Sequence, residues 1–271
     1  MARWDWYEAT VHDGCPSHIV ALLQDQHPDS DIGPGRPKHG YLRSAAIVRG
    51  DTTLAEVWWD GNPGVHVYGT AENAPAVQAA LRAGQLPHKV TRCDSCVDWR
   101  EVGLFDRMSS AFMAYASEKS ITISQVGDWY QGRARTLYLG SKRSPVMLRL
   151  YEKGHQMGTD PSWVRLEVVV RPKGSKREQV ATWEPSQAFG ASRWLVELLQ
   201  LIGWGDLEPQ SVGTVWRPSD TQRARSALVK QYGAILEAWA EEIGWENIPG
   251  AIEETRKEQD ALKRMYQEAY A

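Results

Sequence analysis

The chain has 271 residues, with 31 Lys and Arg against 34 Asp and Glu, and at roughly 100–200 residues per domain it holds one large domain or two small ones. A composition that is 42% hydrophobic and 24% charged excludes a disordered chain, and no apolar run approaches the ~18 residues that span a bilayer. The opening residues Met1-Ala2-Arg3-Trp4-Asp5-Trp6 lack the apolar core of a secretion signal, and three cysteines are too few for a disulfide framework; both point to the reducing cytoplasm.

In chain order, residues 3–12 alternate as a strand does, and Pro16 to Gln26 reads as a short helix with proline at its start. The stretch from Gln26 to Gly40 contains Pro28, Gly33, Pro34, Gly35 and Pro37 and is expected to be a loop. Strands follow near 41–48, 52–59 and 65–69, the last two joined through Asp60-Gly61-Asn62-Pro63-Gly64. A helix is expected over Ala74–Ala83, a strand over His88–Asp98, and a helix over Phe105–Ser117, where Phe105, Met108, Phe112 and Tyr115 recur at helical spacing. An antiparallel meander then runs through Thr136–Leu139, Met147–Tyr151 and Trp163–Arg171. Helices are expected at Ala188–Ile202, Asp220–Ile243 and Ile252–Tyr270. The pattern is that of an α+β fold: a curved, mostly antiparallel β-sheet with helices packed on it and a helical C-terminal region. The first 170 residues resemble two successive strand–helix–strand units. The expected division is a sheet-based domain at 1–176 and a helical region at 177–271 packed on the same domain.

Charge is unevenly distributed. Residues 131–177 hold 11 Lys and Arg against 3 Asp and Glu, a net of +8, whereas residues 1–130 carry −5 and residues 178–271 carry −6. A polyanion responds to the local field and not to the chain average, although a solvated face would show the same run.

Four segments could carry chemistry. On a strand, Arg92, Asp94, Cys96 and Asp98 share one face, and carboxylates so placed need a cation between them, either a divalent metal or an arginine, unless the face is simply exposed. Cys93 and Cys96 fall on opposite faces, so their C-x-x-C spacing does not point to zinc. In Arg149-Leu150-Tyr151-Glu152-Lys153, the tyrosine lies between two cations that could hold a phosphodiester and favour the phenolate, although an ordinary strand tyrosine beside surface cations reads the same. In Trp163–Arg171, Arg165, Glu167 and Arg171 share a face, either as an ion-pair ladder or as a further metal carboxylate flanked by phosphate-binding arginines. The turn Gly140-Ser141-Lys142-Arg143-Ser144-Pro145 offers N–H groups, hydroxyls and cations to a phosphate backbone. Some of the 13 tryptophans could stack on bases, with most of them in the core.

The order of these segments is more specific than any one of them. Thr-Arg-x-Asp-x3-Asp, then Leu-Tyr-Leu-Gly-Ser-Lys-Arg-Ser-Pro, Leu-Arg-Leu-Tyr-Glu-Lys-Gly and Trp-Val-Arg-Leu-Glu-Val, resembles the replication initiation factor family. Its members include initiators of small plasmids, relaxases of conjugative elements and replication proteins of filamentous bacteriophages. The resemblance covers roughly residues 40–175, with Val65–Thr70 resembling a preceding glycine-containing element. It implies a rolling-circle initiator that nicks one origin strand through a 5′-phosphotyrosyl intermediate, leaves a 3′-OH primer and later rejoins the strand. It implies Tyr151 as the nucleophile, and Asp94, Glu167 and Asp98 as ligands of Mg2+ or Mn2+. Arg149, Lys153, Arg165, Arg171, Ser141, Lys142 and Arg143 are implied as contacts to DNA phosphates. The implied partners are origin DNA, both as supercoiled duplex and as single strand, with a host helicase and polymerase, and self-association of the chain. The departure from the family is at Ser95 and Cys96, where apolar residues are usual. A relaxase, a noncatalytic single-strand binder and a water-using nuclease are the alternatives.

Overall fold

The computed structural model describes residues 1–204, 207–213 and 220–269. It contains two compact units, Met1–Val215 and Trp216–Ala271. The first is built on a ten-stranded sheet. In chain order its elements are β1 (Arg3–Val11), α1 (Pro16–Asp25), β2 (Asp31–Pro34), β3 (Arg43–Arg49), β4 (Thr52–Trp59), β5 (Val65–Thr70) and α2 (Ala74–Ala83). There follow β6 (Lys89–Arg100), α3 (Leu104–Glu118), β7 (Ile123–Asp128), β8 (Arg133–Leu139), β9 (Val146–Glu152), α4 (Lys153–Met157), β10 (Trp163–Val170), α5 (Lys176–Ala181) and α6 (Arg193–Gln200). The strand order is β2-β3-β4-β5-β1-β6-β10-β9-β8-β7, and every neighbouring pair is antiparallel. The fold is α+β, with a large open antiparallel sheet and a helical C-terminal region.

That order contains an internal duplication. Read outward from the centre it is β1-β5-β4-β3-β2 on one side and β6-β10-β9-β8-β7 on the other, each half being a strand, a helix and a four-strand meander. Trp6 and Asp94 face one another across the central pair, and the helices that follow begin at Pro16 and Leu104, the same distance beyond Trp6 and Asp94 respectively.

Alternation decides which side chains meet the helices. Tyr7, Ala9 and Val11 of β1, Val57 of β4, Val67 of β5, Cys93 and Val97 of β6, Leu148 and Leu150 of β9, and Leu166 and Val168 of β10 form one core with Ile19, Leu23, Val77, Leu81 and Phe112 of the helices. The core extends past the meander, through Trp183, Phe189, Leu195 and Leu198. Burying the largest of these contributes about 1.5–3 kcal/mol per side chain.

The structure departs from the sequence reading in several places. Strand β2 lies within the stretch expected to be a loop, because Ile32 and Gly33 pair with Ile47 and Ala46 at the sheet edge. Strand β7 is exposed along its whole length and so carries no apolar alternation. The helix expected over Ala188–Ile202 is divided into a 3-10 segment, Pro185–Gly190, and α6. A short helix, α4, stands where a turn around Gly154 was expected. Gly154 packs directly on the Asp160 carbonyl and leaves no room for a Cβ, which explains the glycine after Lys153.

The second unit consists of α7 (Asp220–Ile243) and α8 (Ile248–Ala269). Ala240 and Ile248 are buried, and Glu253 pairs with Lys257 one turn on. The expected end of the last helix, Tyr270, lies outside the described residues. Among the described residues no helix is long and apolar enough to cross a membrane. All three cysteines are free, Cys93 and Cys96 being buried and Cys15 exposed.

Candidate active site on the open face of the sheet

With Cys93 and Val97 turned toward the helices, Arg92, Asp94, Cys96 and Asp98 of β6 occupy the opposite face. The same alternation puts Arg149 and Tyr151 of β9, and Arg165 and Glu167 of β10, on that face. Pairing fixes who meets whom: Glu167 lies opposite Cys96 on one side and Arg149 on the other, and Arg165 lies opposite Asp98 and Tyr151.

Tyr151, Glu167, Arg149 and Asp94 form one contiguous group. The Tyr151 hydroxyl donates to Glu167 Oε2 at 3.3 Å, and Arg149 Nη2 donates to the same oxygen at 2.9 Å. Glu167 is 1% exposed, Asp94 2% and Tyr151 5%. Burial pushes the Glu167 carboxyl upward, opposed by Arg149 and reinforced by the Asp94 charge beside it. Burial also raises Asp94, against the bidentate hold of Arg92. Like charges this close cannot both ionise freely. Burial, and then Glu167, push the Tyr151 phenol well above its ordinary value, so it is neutral and a donor. Two cations roof its ring, Arg149 with its guanidinium carbon 5.1 Å from the centroid and Lys153 Nζ 5.8 Å from it.

The chemistry of the Asp94–Glu167 pair suits a hard divalent ion. Mg2+ commonly takes one or two carboxylates and completes its shell with water and substrate phosphate. Among the described residues no group of three His, Cys, Asp or Glu side chains is arranged to hold a metal, and both carboxylates of the pair already accept from protein donors, Asp94 from Arg92 and Glu167 from Arg149 and Tyr151.

Asp98 does not join it. Its carboxylate accepts from Arg165 Nε at 2.6 Å and Nη2 at 3.0 Å, from the Trp163 indole at 2.9 Å and from Arg3 at 2.7 Å. Burial alone would raise it, but these donors hold it down at about 2. Arg165 also donates to Asp5 at 2.8 Å, so its guanidinium is committed to two carboxylates within the protein. The position of Asp5, on a strand 160 residues away in sequence, had no local signal. Nor did the buried pair in which Glu152 accepts from Arg135 Nη2 at 2.8 Å.

The remaining predicted contacts lie around this group. Lys153 opens α4 and bonds Gln156 at 3.0 Å. Ser141 and Ser144 bond one another at 2.9 Å in the β8–β9 turn, with Lys142 and Arg143 exposed between them. Arg171 follows β10 and donates its backbone N–H to Pro145 at 2.7 Å.

The duplication sets the Tyr151 group against a different arrangement in the other half of the sheet. With Asp94 set against Trp6, the meander registers put Tyr151 at the position of Trp58, Glu167 at Tyr68 and Arg165 at His66. There Trp6 stacks on Tyr68 with centroids 5.6 Å apart, and Trp58 on His66 at 5.2 Å. Aromatic packing stands in place of the Tyr151 group, with Glu8 bonded to His66 at 3.0 Å and Tyr68 donating to Glu56 at 2.6 Å, and Arg92 bridges the two halves by lying 4.2 Å over the Trp6 ring while bonding Asp94.

Residues 89–184, which carry Asp94, Arg149, Tyr151, Arg165 and Glu167, match the family model described as replication initiation factor. The match covers about a third of the chain, and that third is similar to the replication initiation factor family. The resemblance in motif order therefore holds for the half of the sheet that carries the ionisable group. No curated protein matches the chain. Among solved structures the chain is similar to a rolling circle replication initiator protein from Geobacillus stearothermophilus, with 21% identity over 66% of this chain and 77% of that one, at a TM-score of 0.49.

Proposed function

We propose that this chain is a replication initiation factor that starts rolling-circle replication by nicking one strand of an origin, with Tyr151 as the nucleophile, and later reseals it. The observation that carries the reading is the Tyr151 hydroxyl hydrogen-bonded to a buried Glu167 beneath two cations. Tyr151 Oη attacks phosphorus and passes its proton to Glu167, whose raised basicity suits a general base near neutral pH. The bond from phosphorus to the 3′-oxygen breaks, and that oxygen takes a proton from solvent to leave as a 3′-hydroxyl primer. The 5′-phosphate stays on Tyr151, so attack by a 3′-hydroxyl runs the step backward and rejoins the strand without another energy source. Arg149 and Lys153, which already lie over the ring, hold the nonbridging oxygens. Arg165, fixed by Asp98 and Asp5, keeps the neighbouring strand position in register. A divalent ion on Asp94 and Glu167, Mg2+ or Mn2+, would add electrostatic stabilisation of the charge developing on the phosphate.

The working partners in this reading are origin DNA, as supercoiled duplex and as single strand, and then a host helicase and polymerase in a bacterial cytoplasm. The test is incubation of supercoiled origin DNA with Mg2+ and either the wild-type chain or Tyr151→Phe. Nicked circles with a protein–DNA adduct from the wild type alone support the reading. Equal nicking by Tyr151→Phe makes water the nucleophile and refutes it.

A further inference from the structure

Among the described residues Arg171 makes no ion pair, although the Asp94 and Glu8 charges act on it from a distance. Its side chain is half-buried, and its Nη1 is enclosed with no acceptor among the described residues. Every other strand arginine of this face is matched: Arg92 to Asp94, Arg149 to Glu167 and Arg165 to Asp98. One residue beyond the last registered pair, Val170 opposite Cys93, Arg171 comes beside Arg92. Burial, and then the Arg92 charge, lower its affinity for its proton. Two guanidinium groups side by side, one with an orphaned donor, cost stability unless an anion joins them.

The surroundings favour a phosphate. The Arg171 backbone is tied to Pro145, the end of the turn that holds Ser141, Lys142, Arg143 and Ser144. Between Arg171 and Glu167 the floor is apolar, made by Val169 and Met147. Four residues of strand separate Arg171 from Glu167, about 13 Å, which is too far for both to serve one phosphate. We propose that Arg171 and Arg92, together with this turn, form a second phosphate subsite for the DNA strand whose scissile phosphate lies at Tyr151. The strand would run along β10 from α4 toward the β8–β9 turn. The aromatic half of the face would lie off its path. This rests on the reading of Tyr151 as the nicking residue.

The test uses the full chain carrying Tyr151→Phe, and a single-stranded dT oligonucleotide of 20 nucleotides as the probe, with affinity measured against salt concentration. Adding Arg171→Ala should weaken binding about tenfold at low salt, as for a lost charge-assisted hydrogen bond. It should also flatten the slope of log affinity against log salt by about 0.7, one phosphate contact on a single strand. Arg171→Lys should keep the slope. The melting temperature of Arg171→Ala should equal or exceed that of its parent, because an unmatched cation has been removed. An unchanged slope overturns the subsite, as does a lower melting temperature with unchanged slope, which would mark Arg171 as structural. Arg171→Ala in the chain that retains Tyr151 should need about tenfold more origin DNA for half-maximal adduct formation. If no adduct forms even with wild type while the slope changes as expected, the nicking reading fails and the subsite stands.

Discussion

Glu167→Gln tests the site most sharply, because it keeps the shape while removing the charge and the ability to take a proton. In the structure Oε2 of Glu167 receives both the Tyr151 hydroxyl, at 3.3 Å, and Arg149 Nη2, at 2.9 Å, and an amide oxygen could accept the same two donors. A positioned general base contributes about 10²–10⁴-fold, or about 3–5 kcal/mol of barrier at 1.36 kcal/mol per decade. Loss of the Glu167 charge also lowers the phenol pKa, since that charge is the second cause of its rise after burial; this offsets part of the loss but supplies no acceptor. The assay is single-turnover adduct formation with an origin oligonucleotide across a range of pH. The wild-type rate should climb with pH as the base ionises. The variant should be at least about 100-fold slower and lack that climb. A variant within threefold of wild type with the same pH profile would refute the assignment of Glu167.

Tyr151→Phe should abolish the adduct while altering stability in urea by only about 1 kcal/mol, one hydrogen bond's worth; loss of DNA binding would contradict this. Asp98→Ala leaves the Arg165 guanidinium, 4% exposed, with Asp5 alone, and should cost about 3 kcal/mol in urea denaturation of the first unit; a change below 1 kcal/mol would show Asp98 to be dispensable. Because the folded Asp98 pKa is depressed to about 2, its contribution is present above the unfolded value near 4 and is lost as pH falls toward 2, so acid titration of Asp98→Asn should lack that part of the wild-type loss. Leu198→Ala, in α6 beyond the matched segment, should cost about 2–5 kcal/mol, since Leu198 is part of the sheet core; a neutral outcome would separate α6 from it. Chelation should stop adduct formation, and Asp94→Asn should raise the Mg2+ needed to restore it; an unchanged metal requirement would remove Asp94 from the site.

Much of this arrangement is legible in the sequence, because strand alternation is strict. Once Leu148 and Leu150, and Leu166 and Val168, are read as core, Arg149, Tyr151, Arg165 and Glu167 must share the other face. The contacts that complete the site are not legible, because they cross between strands distant in the chain. Nothing near Asp98 announces that Arg165 will claim both its oxygens, and nothing near Asp5 announces that it will meet Arg165. Strand β7 escaped for a different reason: both faces of an edge strand are wet, so hydropathy carries no period. The central pairing of Trp6 with Asp94, and with it the duplication, depends on sheet order, for which the two similar strand–helix–strand units gave only a hint.

The most direct measurement is peptide mass mapping of the wild-type chain after it has been trapped on an origin oligonucleotide with Mg2+. A single nucleotide-modified peptide is expected, spanning residues 150–153, with the phosphate on Tyr151. Modification of a different residue, or cleaved DNA with no modified peptide, would contradict it.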